Sequence, residues 1–290
     1  GTALTGIVTD FTPLENQMAR LALHIGAVEQ LAKYNMIDQV IDDYEDATGV
    51  TAFNGTVEIP AVGAYQDHSS SGHTITAYNQ AAISTTQIQA SLGTHSIVFD
   101  GVDDYLKGPD HASMAVGTGD FTFECWAYWI DRTTDSSQQV LFDTRTSGGS
   151  VGAAGIYCVK WSDHKIGLFR YPNDYHGTTV MANNTWYHLA WVRTSGTLKM
   201  FVNGTQEYSA SMTQDYTQTK MVIGGDWGSY SATGHNMNGY LDEIRFSNVA
   251  RYTATFTDFG QGGGTISNPT AFTSDANTKL LIHGESQAAV

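Results

Sequence analysis

The chain has 290 residues and carries 14 Lys+Arg against 29 Asp+Glu, a formal net charge of −15 with only 15% charged residues. A polyanion is held by clustered cations, and Arg20 and Lys33 are the only ones before Lys107. Charge therefore excludes nucleic acid and anionic membrane surfaces as partners, and leaves room for divalent cations. No apolar run reaches roughly 18 residues and no signal-peptide pattern opens the chain, which starts with Gly and reads as processed, engineered or part of a longer polypeptide. With 30 Gly, and Thr, Ser, Tyr and Asn at most polar positions, the composition suits a mainly β protein with many turns. The length allows one β domain of about 200 residues plus an appendage. Cys125 and Cys158 both fall in strand-like runs; they either pair across neighbouring strands or remain buried thiols.

Residues 1–53 read as a helical anchor. Thr12 caps, Pro13 fits the first helical position and Glu15 closes a capping box. Leu14, Met18, Leu21, Ile25, Val28 and Ala32 then recur at steps of 4 and 3, an a/d seam short for a free coiled coil. It suits a small oligomeric stalk, docking on another protein, or packing on the chain's own sandwich. A second amphipathic segment (Met36, Ile37, Val40, Ile41, Tyr44) has an acidic far side whose spacing does not fit a calcium loop, and Gly49 ends it. Between 54 and 95, short β-prone pieces (Thr56–Ile59, Thr74–Tyr78) alternate with turns. Asp67, His68 and His73 share a Ser-rich stretch that reads as a loop.

The chain is organised around residues 96–130. Ile97 and Phe99 alternate with polar neighbours until Asp100-Gly101 breaks the run. Phe121, Phe123, Cys125 and Ala127 then share one strand face, with Thr122, Glu124, Trp126 and Tyr128 on the other. Aromatics on both faces predict a strand buried on both sides or one facing a ligand. Hairpins follow at sandwich spacing: Val140–Asp143, Ile156–Trp161 into Lys165–Tyr171, Asn184–Arg193 into Leu198–Val202. The last ends in Asn203-Gly204, a two-residue hairpin turn. Asn238–Ser247 forms a third strong block.

The blocks FDGVDDYL, GDFTFECWAYW, NTWYHLAWVR, TLKMFVNGTQ and GYLDEIRFSNVARYT stand in the order and spacing of a laminin G-like, concanavalin A-like domain. They resemble the version found in tail and appendage proteins of marine bacteriophages. The resemblance covers about residues 60–260 and implies a two-sheet antiparallel jelly-roll sandwich of about 12–14 strands, within a domain spanning 54–290. The closing TSDANTKLLIHGES (strand 278–283) either completes this sandwich or begins another. The resemblance further implies a virion structural or appendage protein, tail fibre or surface decoration. Its partners would be other virion proteins, copies of itself and a host-surface glycan, and its place the virion surface. The alternative is a secreted bacterial carbohydrate-binding or adhesion module.

Domains of this kind often hold a structural calcium. Asp242 shares strand parity with Tyr240, Ile244 and Phe246, so a core-facing carboxylate there needs donors or a cation. A Ca2+ held by Asp100, Asp103 and Asp242 is one reading and backbone N–H groups or Arg193 are others; the opposite parity, with Leu241 inside and Asp242 in solvent, stays open too. Glu124 stands alone on its face, Asp242 and Glu243 point to opposite faces, and no nucleophile elbow or HExxH motif occurs. The residues point away from an enzyme. Trp126, Tyr128, Trp227 and Tyr230 are the candidate glycan platforms, with the Gly-rich Asp226–Tyr230 loop the best exposed.

Overall fold

The computed structural model describes residues 65–130, 138–146, 154–226, 235–259 and 268–284. The chain divides into two units, Gly1–Gly63 and Ala64–Val290, and the described residues all belong to the second. The helical readings over 12–46 and the strand at Thr56–Ile59 lie outside them, as do Trp227 and Tyr230.

β1 (Thr76–Tyr78), β2 (Ala82–Ser84), β3 (Ser96–Asp100) and β4 (Tyr105–Lys107) precede a single 3-10 turn and the long β5 (Phe121–Trp129). A meander follows: β6 (Gln139–Asp143), β7 (Tyr157–Lys160), β8 (Ile166–Arg170) and β9 (Asn173–His176). A second meander comprises β10 (Trp186–Thr194), β11 (Thr197–Val202) and β12 (Thr205–Ser211), before β13 (Val222–Ile223), β14 (Asn238–Ser247) and β15 (Thr278–Ile282). They make two antiparallel sheets. One has seven strands in the order β1-β4-β13-β6-β7-β8-β9. The other has eight, β12-β11-β10-β5-β14-β3-β2, with β15 pairing β14 beside β3. The closing strand, observed as Thr278–Ile282 and one residue shorter than 278–283, thus completes this sandwich.

Period-two patterning places the core between the sheets. Phe121, Phe123, Cys125, Ala127 and Trp129 of β5 meet Phe142, Cys158, Ile166 and Leu168 from the opposite sheet. Phe123 stacks on Phe142 with centroids 4.5 Å apart. Trp191 Nε1–H donates across the sandwich to the Gly167 carbonyl (2.7 Å), so a buried indole costs no orphaned donor. Cys125 and Cys158 are free, buried thiols on facing sheets. Arg193 is spent on the Gly117, Gly119 and Gln214 carbonyls, which removes it as a partner for Asp242.

Asn203 and Gly204 both have positive φ (50° and 75°), the conformation that makes Asn-Gly a tight hairpin turn. Gly204 has a second constraint: a Cβ there would lie 2.0 Å from the Phe256 carbonyl oxygen. Gly196, with φ also 75°, would meet nothing nearer than 3.7 Å. Gly196→Ala should therefore lose only the backbone cost of about 1 kcal/mol. Gly204→Ala should lose about 3 kcal/mol or more, because the Phe256 segment must also move. Urea unfolding of the two variants checks this; equal losses would contradict it.

Candidate functional site

The outer face of β5 is closed. All nine of its residues are buried, and Trp126, at 0% exposure, packs with Leu92, Phe259, Phe272 and Leu281. The Tyr128 ring lies among those of Trp186 and Tyr240 and is 9% exposed. Neither is a glycan platform: the covered alternative for this face is the one adopted. The cover is the chain following β14, which supplies Tyr252, Phe256, Phe259 and Phe272.

Beneath this cover lies a charge network. Glu124 Oε1 accepts from Arg245 Nε (2.9 Å) and Nη2 (2.7 Å), and Oε2 accepts from Tyr252 Oη (2.8 Å) and His188 Nε2 (3.1 Å). Arg245 reaches Glu124 because the two are direct cross-strand neighbours, as are Glu124 and Ala190 of β10. Burial alone would raise the carboxyl, but Arg245 and the His188 and Tyr252 hydrogen bonds outweigh it and hold it at about 2. Burial holds His188 below its ordinary value against the pull of Glu124. Neutral His188 then donates through Nε2, while its Nδ1 has no partner. Five aromatic rings surround this imidazole: Trp126, Tyr252, Phe256, Phe259 and Phe272.

The parity expected for Asp242 fails at a β-bulge. Glu243 has φ 50° and the β14/β5 register shifts between Asp242 and Arg245. Leu241, Ile244 and Phe246 consequently all face the core, which puts Asp242 outward. It is nonetheless buried, because Oδ1 accepts from the N–H of Glu243 (2.7 Å) and of Gly284 (2.8 Å). Leu241 pairs with Ile97, three residues before Asp100, roughly 10 Å along a strand. Asp242 is therefore no member of a metal site with Asp100 and Asp103; the backbone N–H alternative holds. Glu243 turns its carboxylate to His283 Nδ1 (2.6 Å) and to the Phe272 N–H.

Asp100 and Asp103 are joined instead by Asp104, their ligand oxygens all within 4.8 Å of one another. Asp104 accepts from the N–H groups of Gln80 (2.6 Å) and Asp100 (2.8 Å). Burial, with the repulsion of Asp100 and Asp103, raises its carboxyl to about 6. Beside the loop's end, near Gly225, Asn236 is 2% exposed and both its side-chain polar atoms lack partners. An all-oxygen donor set with surplus negative charge and an orphaned amide fits a hard divalent cation.

The outer face of the seven-stranded sheet carries a second polar network. Arg145 binds Asp143 through Nε and Nη2 (both 2.9 Å) and lies 3.5 Å over the Tyr157 ring. Tyr157 Oη donates to Asp226 Oδ2 (3.2 Å) and accepts from Gln138 Nε2 (3.0 Å). His235 Nδ1–H donates to the same Asp226 oxygen (2.9 Å). Asp226 and His235 thus close the foot of the segment holding Trp227 and Tyr230. Trp161 lies on Gly167 with its Nε1–H on the Tyr175 carbonyl, and His176 stacks beside it. None of this was visible from spacing, since Gln138, Arg145, Tyr157, Asp226 and His235 are brought together only by strand order.

A laminin G family model, described as the concanavalin A-like lectin/glucanases superfamily, matches residues 100–255, more than half of the chain. The chain belongs to this superfamily. Among solved structures, this superfamily member is similar to domain 4 of a GH43 extracellular arabinanase from Geobacillus stearothermophilus, in complex with arabinotriose. There the identity is 17%, coverage 62% of this chain and 83% of that one, and the TM-score 0.46. It is also similar to the binding domain of botulinum neurotoxin serotype D (8% identity, 66% and 48% coverage, TM-score 0.48). A third is the LG4-5 pair of the mouse laminin alpha1 chain (12% identity, 55% and 44% coverage, TM-score 0.39). The chain thus spans less than half of the neurotoxin and laminin chains. No curated protein sequence matches it.

Burial, reinforced by neighbouring Glu243, raises the Asp242 carboxyl to about 7. A folded-state value above the unfolded one means a contribution fully present below the unfolded pKa, near 3.9, and lost as pH rises through about 7. Asp242→Asn keeps an acceptor oxygen for both N–H groups but cannot ionise. Its stability relative to wild type should therefore improve by about 2–3 kcal/mol between pH 5 and pH 8. Urea denaturation at the two pH values tests this, and a pH-independent difference would refute it.

Proposed function

We propose that this chain is a non-enzymatic recognition module of a bacteriophage virion, presenting its sandwich to a host-surface glycan. The observation that carries this reading is how the sandwich uses its carboxylates. Glycosidic cleavage by acid and base needs two carboxyl groups facing a shared open space. Among the described residues, Glu124 is committed to Arg245, His188 and Tyr252. Asp242 and Glu243 are committed to main-chain N–H groups and His283, Asp67 to the Ser69, His73 and Leu281 N–H groups, and Asp143 to Arg145. In the one close group of three carboxylates among these residues, Asp104 accepts from the Gln80 and Asp100 N–H groups and Asp100 from that of Val102. The ordered blocks resembling marine phage appendage domains support the virion setting. Residues 12–46 would supply self-association or docking to other virion proteins.

The ligand is a neutral or cationic glycan, because a net charge of −15 repels acidic polysaccharides. The Asp226–Tyr230 loop, whose foot is fixed by Asp226 and His235, is its first contact. One stacked aromatic contributes about 1–3 kcal/mol, so a single site binds at about millimolar strength and several copies act together. Binding of the self-associated chain to host-envelope glycans should fall at least about tenfold in Trp227→Ala. Unchanged binding would move the site elsewhere, and no binding in any multivalent format would end the glycan reading. Mass spectrometry of purified particles tests the virion setting, and absence of the chain from them would favour the secreted alternative.

The same reading places one structural calcium at Asp100, Asp103 and Asp104, with the Asn236 amide oxygen at hand. There the ion would neutralise the loop's surplus charge and tie it to the start of β14. A cation that binds only the native state raises its melting temperature. Chelation should lower the melting temperature of wild type and leave Asp103→Asn unchanged; an equal response of both would remove the site.

A further inference from the structure

The Arg145–Tyr157 network ends in polar atoms that the protein does not use. Arg145 engages Asp143 with Nε and Nη2, and Nη2 is 3.6 Å from Asp226 Oδ2. Its Nη1 has no partner among the described residues and is not sealed from solvent. His235 is in the same position. Its Nδ1–H is fixed on Asp226, which leaves Nε2 as a bare acceptor on a side chain one-third exposed. Gln138 donates through Nε2 to Tyr157, which leaves Oε1 as a second outward acceptor.

These atoms are not loosely held. The guanidinium is clamped at 3.5 Å on the Tyr157 ring and paired with a wholly buried Asp143. Tyr157 is itself fixed by bonds at both sides of its hydroxyl and by the edge of Phe169 (centroids 5.9 Å). One donor nitrogen and two acceptors, pre-oriented around one aromatic stack, have already lost the side-chain freedom that binding would otherwise cost. The cluster's charge decides the ligand class. Two carboxylates, Asp143 and Asp226, flank the guanidinium and would repel a carboxylate or phosphate there. A neutral molecule presenting neighbouring hydroxyls satisfies all three atoms: one oxygen accepts from Arg145 Nη1 while others donate to His235 Nε2 and Gln138 Oε1. The half-buried Phe169 ring offers an apolar face for sugar C–H groups.

We infer that Arg145, His235 and Gln138 form a subsite for hydroxyl groups of a neutral sugar, on the outer face of the seven-stranded sheet. It deepens the glycan reading above and rests on it, but it assigns the polar half of recognition to residues outside the Trp227 loop.

The test is NMR of the full chain with labelled arginine side chains, titrated with neutral methyl pyranosides and, for comparison, glucuronate. The Arg145 Nε–H resonance should move saturably with at least one neutral sugar, and glucuronate should bind at least about tenfold more weakly. Arg145→Lys keeps a cation beside Asp143 but removes the fork, and should weaken the neutral sugar about tenfold. Should that variant not fold, Gln138→Leu, at a half-buried position, should weaken it about threefold. Glycan binding that leaves Arg145 unmoved and both variants at wild-type affinity overturns the subsite while leaving the glycan reading intact. Failure of every sugar, together with failure on multivalent glycan surfaces, overturns both.

Discussion

Glu124 sits at zero exposure in the middle of β5 and stays ionised because four donor atoms meet its two oxygens. Removing one partner from such a buried pair typically costs about 3–5 kcal/mol, since the remaining charge has no water to turn to. The donors come from three places: Arg245 on β14, His188 on β10 and Tyr252 on the chain beyond β14. The same carboxylate therefore ties the centre of the eight-stranded sheet to its cover. Arg245 extends the link by donating to the Thr273 carbonyl. Asp242, Glu243 and Asp67 repeat the device, each fixing a point on the returning chain at Gly284, Phe272 and Leu281. Around these points Phe259, Phe272 and Leu281 bury apolar surface worth about 2–3 kcal/mol each. Part of the acidity that composition reads as surface charge is used inside: among the described residues eight carboxylates are buried.

The two sheets consequently have different outer faces. On the eight-stranded sheet the aromatic rings of β5 are consumed by packing, and the carboxylates of β5 and β14 are tied to their own fold. On the seven-stranded sheet the polar side chains are also paired, but the pairing leaves outward-directed donors and acceptors. Arg145 illustrates the difference from Arg193. Arg193 gives all three of its donor nitrogens to main-chain carbonyls, whereas Arg145 keeps one nitrogen in reserve. A superfamily that includes both lectins and glucanases can separate the two roles by such local choices.

Much of the sandwich is legible in the sequence because strand faces obey period two. The inner residues of β5, the Asn203-Gly204 turn and the boundaries of β10, β11 and β14 follow from local pattern alone. Local pattern fails at the Glu243 bulge, where one extra residue reverses the parity of everything before it and turns Asp242 away from the core. A bulge leaves no compositional mark here, since Glu is an unusual residue at positive φ. Trp126 and Tyr128 were ambiguous for another reason: a ring on a sheet's second face serves a ligand or a cover equally well. Only the later chain, with Tyr252, Phe256, Phe259 and Phe272, decides it. Glu124 reads as solitary in its own strand because its partners lie 64, 121 and 128 residues away. The Asp100–Asp103 pairing was visible as a short acidic loop. That Asp242 does not join this loop follows only from the bulge and the strand register.

If Glu124 holds the cover on the eight-stranded sheet, its loss must loosen that cover before anything else. Native-state hydrogen exchange of the full chain, comparing wild type with Glu124→Gln, measures this directly. The account expects faster exchange concentrated at the Asn248, Phe256, Phe272 and Leu281 amides, with β6, β7 and β8 little changed. Equal acceleration across both sheets, or no change at those four amides, would contradict it.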